Sequence, residues 1–140
     1  MTDDKSEKRL CGRFRVPGAT AGYKTLSALI PRKGFDEELC PVFDLSRGGL
    51  CVLTQKPVKV KQNVYIEVII PGESSPLFLY GSVRWLRFNT GQIYKYQVGV
   101  QLNPYGDKKG QNSPLTLMRL TALEEDYLTR KAAVPPPPKS

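Results

Sequence analysis

From Gly22 to Leu102 apolar side chains recur at every second position over short runs, with turn-forming residues between them. In Val64–Ile70, Val64, Ile66, Val68 and Ile70 share one face, while Tyr65, Glu67 and Ile69 share the other; Pro71-Gly72 ends the run. In Tyr94–Leu102, Tyr94, Tyr96, Val98, Val100 and Leu102 alternate with Lys95, Gln97, Gly99 and Gln101, as a half-buried antiparallel strand requires. Leu77–Phe88 lies between these two and stops at the turn Asn89-Thr90-Gly91. Three earlier strands are expected at Tyr23–Ile30, closed by Pro31, around Leu39–Phe43, and at Leu50–Thr54. The loop RKGFDEE separates the first two of these, and DLSRGG at 44–49 turns the second into the third. Six short strands with frequent turns predict an all-β sandwich or barrel.

Past the last strand the period changes. Ser113-Pro114 has the form of an N-cap followed by proline at the first helical position. Leu117, Leu120, Leu123 and Tyr127, with Leu128 beside them, then recur at helical spacing and form a stripe expected to pack on the sheet. Residues 1–20 are polar, basic and turn-rich, which reads as a flexible arm. The expected organisation is an arm over 1–20, a β-domain over 21–112, a helix over 113–131 and a Pro-rich tail over 132–140.

Charge sharpens this outline. The chain of 140 residues has 21 Lys+Arg against 13 Asp+Glu, a formal charge of +8, and a basic surface points to an anionic partner. It contains no histidine, which excludes the Ser-His-Asp triad, the Cys-His pair and every His-containing metal site. Its carboxylates stand singly or in the charged stretches 36–38 and 124–126, so neither a catalytic pair nor a metal site is expected. Cys11, Cys40 and Cys51 show no CxxC spacing and fit reduced thiols in a cytoplasmic protein. No apolar run approaches the ~20 residues of a membrane span.

Two short constellations carry candidate chemistry. Arg9 and Arg13, four apart in the arm, are planar, permanently charged forks suited to a phosphate or to the O6/N7 edge of guanine. In the turn Asp44-Leu45-Ser46-Arg47-Gly48-Gly49, a carboxylate two residues from a hydroxyl can accept from the N–H groups of a purine. The same residues also suit a purely local role. Asp44 and Ser46 can bind their own backbone, and Gly48 or Gly49 would supply a positive φ. Lys56, Lys59 and Lys61 read as a solvated face.

On these residues the chain resembles PilZ domains. Arg9-Leu-Cys-Gly-Arg13 matches their RxxxR motif and Asp44-Leu-Ser46-Arg-Gly-Gly49 their (D/N)xSxxG motif, in the expected order. GSVRW at 81–85 and QVGVQL at 97–102 also look like strands of that family, so the resemblance covers roughly residues 8–128. It implies a six-stranded antiparallel β-barrel with a C-terminal helix, and a bacterial receptor for cyclic di-GMP rather than an enzyme. Arg9 and Arg13 would then grip the ligand, and Asp44, Ser46 and Gly49 would form a guanine site on the outer wall. Lys8, Arg15, Gly48 and Trp85 are weaker candidates; a lone tryptophan is more often core, and core is favoured for Trp85. Many members have arginine where this chain has Lys8, which cannot stack on guanine and so bears on whether one ligand or a stacked pair binds.

The resemblance implies no cofactor other than that ligand. A downstream protein partner that reads a rearranged arm is expected, with no membrane insertion. A small basic β-barrel binding single-stranded nucleic acid through Tyr65, Tyr80 and Tyr94 is the alternative from another class, disfavoured because no RNP-type motif is present. A PilZ-type adaptor that binds no nucleotide is a third.

Overall fold

A computed structural model describes residues 12–27, 34–90 and 92–133. Its strands are β1 (Thr20–Thr25), β2 (Glu37–Leu45), β3 (Gly49–Thr54), β4 (Asn63–Ile69), β5 (Leu77–Phe88) and β6 (Tyr96–Leu102), followed by helix α1 (Pro114–Ala133). They pair antiparallel as a closed barrel in the order β1-β2-β3-β6-β5-β4. The ladder that runs from Thr20↔Ile69 to Thr25↔Val64 joins β1 to β4 and decides for a barrel over a sandwich. Closure leaves the described sheet no open edge to template another chain.

The alternation read in the sequence is the alternation of burial. Val64, Ile66 and Val68 of β4 and Val98, Val100 and Leu102 of β6 all face the interior, together with Leu50 and Val52 of β3. β2 differs from expectation, since it begins at Glu37 inside what reads as a loop. Hydrogen bonds account for this. The Tyr23 hydroxyl donates to Glu37 Oε2 at 2.6 Å, and the backbone N–H groups of Gln55 and Lys56 donate to the same carboxylate at 2.9 and 3.1 Å. A glutamate tied to two neighbouring segments overrides its weak preference for strands.

Helix α1 starts as its cap predicts: the Leu115 N–H donates to Ser113 Oγ at 3.2 Å. Leu120 is fully buried, and Leu123 and Tyr127 pack against the same core. Leu128 does not join the stripe and is 53% exposed, because it lies past the edge of the face that meets the barrel. Arg119 ties the first half of α1 to the β4–β5 loop, donating to the carbonyls of Ser75 and Pro76 at 2.6 and 2.8 Å and to Glu73 at 2.8 Å.

Two further pieces fasten to the barrel. Phe14, within the stretch whose composition suggests an arm, is 1% exposed and trades backbone hydrogen bonds with Leu45 at 2.8 Å in both directions. Asn112, just before α1, is also 1% exposed. Its Oδ1 accepts from the Tyr80 N–H at 2.7 Å, and its Nδ2 donates to the carbonyls of Tyr80 and Asn103 at 3.0 and 2.9 Å. Removing that amide strands buried backbone groups, so Asn112→Ala is expected to lower unfolding free energy by about 2–4 kcal/mol, read as a lower urea midpoint at unchanged slope.

Candidate functional site

The register of the ladders builds a row across four strands. Asp44 of β2 pairs with Cys51 of β3, Cys51 with Gly99 of β6, and Gly99 with Trp85 of β5. Laterally paired residues point to one side of a sheet, and the neighbours of Gly99, Val98 and Val100, fill the interior. The row therefore lies on the outer wall.

Both ends of the row are there because of β-bulges. Simple alternation in β5 from Leu77, Leu79 and Val83 carries Trp85 inward, but the register shifts between Val83 and Trp85. The shift turns Trp85 outward and Leu86 inward. In β2 the register shifts between Val42 and Asp44, so Asp44 faces out and Leu45, fully buried, faces in. One extra residue on a strand reverses the phase of everything after it. This corrects the preference for Trp85 as core: it is half-buried, outside the core cluster, with its ring laid across Gly99. The Arg87 guanidinium stacks 4.7 Å from the centre of that ring.

At the other end of the row, Arg13 Nη1 lies 3.9 Å from Asp44 Oδ2. The Arg13 side chain is 69% exposed and that of Asp44 only 14%, so the acid is held in the wall while its partner remains largely in solvent. An exposed pair at this distance adds little stability. Burial raises the Asp44 pKa above the ordinary carboxylate value, and the nearby Arg13 and Arg15 pull it back only in part. Burial likewise pushes the Cys51 thiol to about 11; Asp44 adds to that shift, while Arg13 and Arg87 oppose it. Cys51 thus sits in the fields of the cations at both ends of the row. Arg15 stacks 4.1 Å from the centre of the Phe43 ring, beside the β2 bulge.

The turn after β2 is held by Ser46. Its Oγ accepts from the N–H groups of Gly48 and Gly49 at 3.2 and 3.0 Å and donates to the Gly49 carbonyl at 3.3 Å. The glycines do not serve as expected: neither Gly48 nor Gly49 has a positive φ. Gly49 is needed for close approach instead, since a Cβ there would lie 2.6 Å from the Val100 carbonyl oxygen. Nothing stands within 4 Å of a Cβ built on Gly48, which leaves that point of the turn open.

Arg13, Arg15, Asp44, Ser46, Gly48 and Gly49 accordingly gather around the end of β2, with Trp85 across the row from Asp44. Lys8 and Arg9 lie outside the described residues. Sequence reading missed Cys51 and Gly99 as the floor between the two ends. A glycine in the middle of a well-alternating strand was the available signal for Gly99. Among the described residues no cluster of three or more His, Cys, Asp or Glu is placed to hold a metal ion. No described helix is long and apolar enough to cross a membrane.

The described residues thus form a closed six-stranded barrel with a charged and aromatic row on its outer wall, beside a serine-held glycine turn. The PilZ domain model matches residues 7–112, and the chain belongs to the PilZ family, a family of cyclic di-GMP-binding domains. No curated protein matches the chain.

Two outcomes test this geometry. Gly99→Ala places a methyl group in the space of the Trp85 ring. Since Trp85 is the chain's single tryptophan, its displacement should appear as a red shift of intrinsic fluorescence. For Asp44, a folded pKa above the unfolded value of about 3.9 means that the folded state binds the proton more tightly. Its contribution to stability is then lost as pH rises from the unfolded value through the folded one. Asp44→Asn should therefore be more stable than the natural chain at pH 7, with the gap closing as pH falls below about 4. Thermal melts of both proteins across that range read it directly.

Proposed function

We propose that the chain is a bacterial, cytoplasmic cyclic di-GMP receptor without catalytic activity of its own. In this reading Arg9 and Arg13 hold the ligand's phosphates and guanine edges, and the Asp44 carboxylate accepts from guanine N1–H and N2–H₂. Ser46 keeps the turn in shape, and Gly49 lets β3 and β6 come close enough to seat it. Trp85, with Arg87 over its ring, offers a flat surface at the far end of the row for the second base or the ribose-phosphate ring. Ligand binding draws the Arg9–Arg13 stretch onto the wall beside Asp44, and a protein partner reads the changed surface. The observation that carries the reading is the proximity of Arg13, from one motif, to Asp44, from the other, across 3.9 Å.

The buried cost of Asp44 supports the same reading. A carboxylate whose ionisation works against the fold is better explained by a ligand than by stability. The nucleic-acid alternative is weaker at its own residues: the Tyr65 hydroxyl donates to Glu67 at 2.9 Å, and the Tyr65 ring packs on Tyr80 at 5.1 Å. A carboxylate at that pair repels a phosphate backbone.

Calorimetric titration with cyclic di-GMP tests the proposal. The natural chain should bind, and Arg9→Ala, Arg13→Ala and Asp44→Ala should each lose about 2–5 kcal/mol of binding. Circular dichroism of each free variant verifies the fold. Absence of heat with the natural chain, or unchanged binding in all three variants, would overturn it. A single-stranded oligonucleotide titrated in rising salt provides the rival's signature, a steep loss of affinity.

A further inference from the structure

Two residues adjoining the motif side chains reach beyond the wall to α1. Arg47 follows Ser46 in the turn, and its Nε lies 3.4 Å from Glu124 Oε1, with side-chain exposures of 37% and 14%. The Tyr105 hydroxyl fixes the same residue from the other side, donating to the Arg47 carbonyl at 2.6 Å. Phe14 follows Arg13, and its buried ring lies 6.2 Å from that of Tyr127. Glu124 and Tyr127 are three apart and so occupy one face of α1. Each half of the site therefore ends, one residue past its motif side chain, on the same turn of the helix. The first half of α1 is anchored separately, by Arg119 to the β4–β5 loop.

We infer that Glu124 and Tyr127 are positioning residues of the nucleotide site, and that ligand occupancy is coupled to docking of the second half of α1. This regulates the site proposed above and rests on that reading for its ligand. The coupling follows from connectivity. A ligand that draws on Arg13 and the Ser46 turn also acts on Phe14 and Arg47, which hold the helix. By linkage, a helix that holds those two residues in place raises affinity for the ligand by the same factor. Helix α1 begins at Pro114, beyond the matched residues 7–112, so this chain couples its PilZ domain to an element outside it.

Amide hydrogen exchange on the full chain tests the inference, first without ligand. Glu124→Gln should speed exchange at Ser46, Gly48 and Gly49 at least fivefold, and Tyr105→Phe should do the same through its lost hydroxyl. Arg119→Ala loosens the start of α1 and should leave those amides unchanged. With saturating cyclic di-GMP, amides of residues 124–130 should slow in the natural chain, and Glu124→Gln should bind about fivefold more weakly. Unchanged turn amides in both Glu124→Gln and Tyr105→Phe, or equal loosening by Arg119→Ala, would overturn the coupling. So would equal or tighter binding by Glu124→Gln. If the natural chain takes up no cyclic di-GMP, the proposed ligand fails, and the ligand-free exchange still decides whether helix and turn are coupled.

Discussion

The ring of six antiparallel ladders is the constraint on which everything else depends. In a closed sheet every outward residue has a fixed lateral neighbour on each side, because no strand among the described residues is left at an edge. Asp44 cannot face outward without facing Cys51, then Gly99, then Trp85. The make-up of this outer row is thus a property of register. A slip of one residue in β3 would set Leu50 or Val52 in the place of Cys51 and bury the carboxylate against aliphatic side chains.

Much of the fold was legible because its strongest elements obey a local rule. β4 and β6 alternate cleanly, and α1 carries its own cap and stripe, so their places follow from near neighbours in sequence. β2 was only partly legible, since its start depends on a bond from Tyr23 to Glu37 and on backbone groups of Gln55 and Lys56. Those partners are not periodic with anything in the strand. The site divides the same way. The turn chemistry of Asp44 and Ser46 could be read from their residue types. The reason for Gly49 could not, because the carbonyl it approaches belongs to Val100, on β6.

The electrostatics of the wall show where the fold gives up stability. Tyr23 and Cys40 have raised pKa values mainly because burial favours their neutral forms, the forms they carry at neutral pH. They cost nothing there. Asp44 is shifted in the same direction, and the cations that offset its burial are exposed arginines rather than tight partners. Ionisation of the acid at the end of the row therefore works against the fold.

The two bulges have a meaning that extends beyond local geometry. In an unbulged β2 and β5, the acid and the indole would be sent into the barrel, one at prohibitive cost and the other in place of Leu86. The outer face acquires its chemistry because the chain inserts one residue before each of them, much as an insertion shifts a reading frame. Side-chain identity is then only half of what a motif encodes. The other half is strand phase, and two chains with the same letters at these positions, one carrying the extra residues and one lacking them, would be different molecules on the outside while sharing the same core.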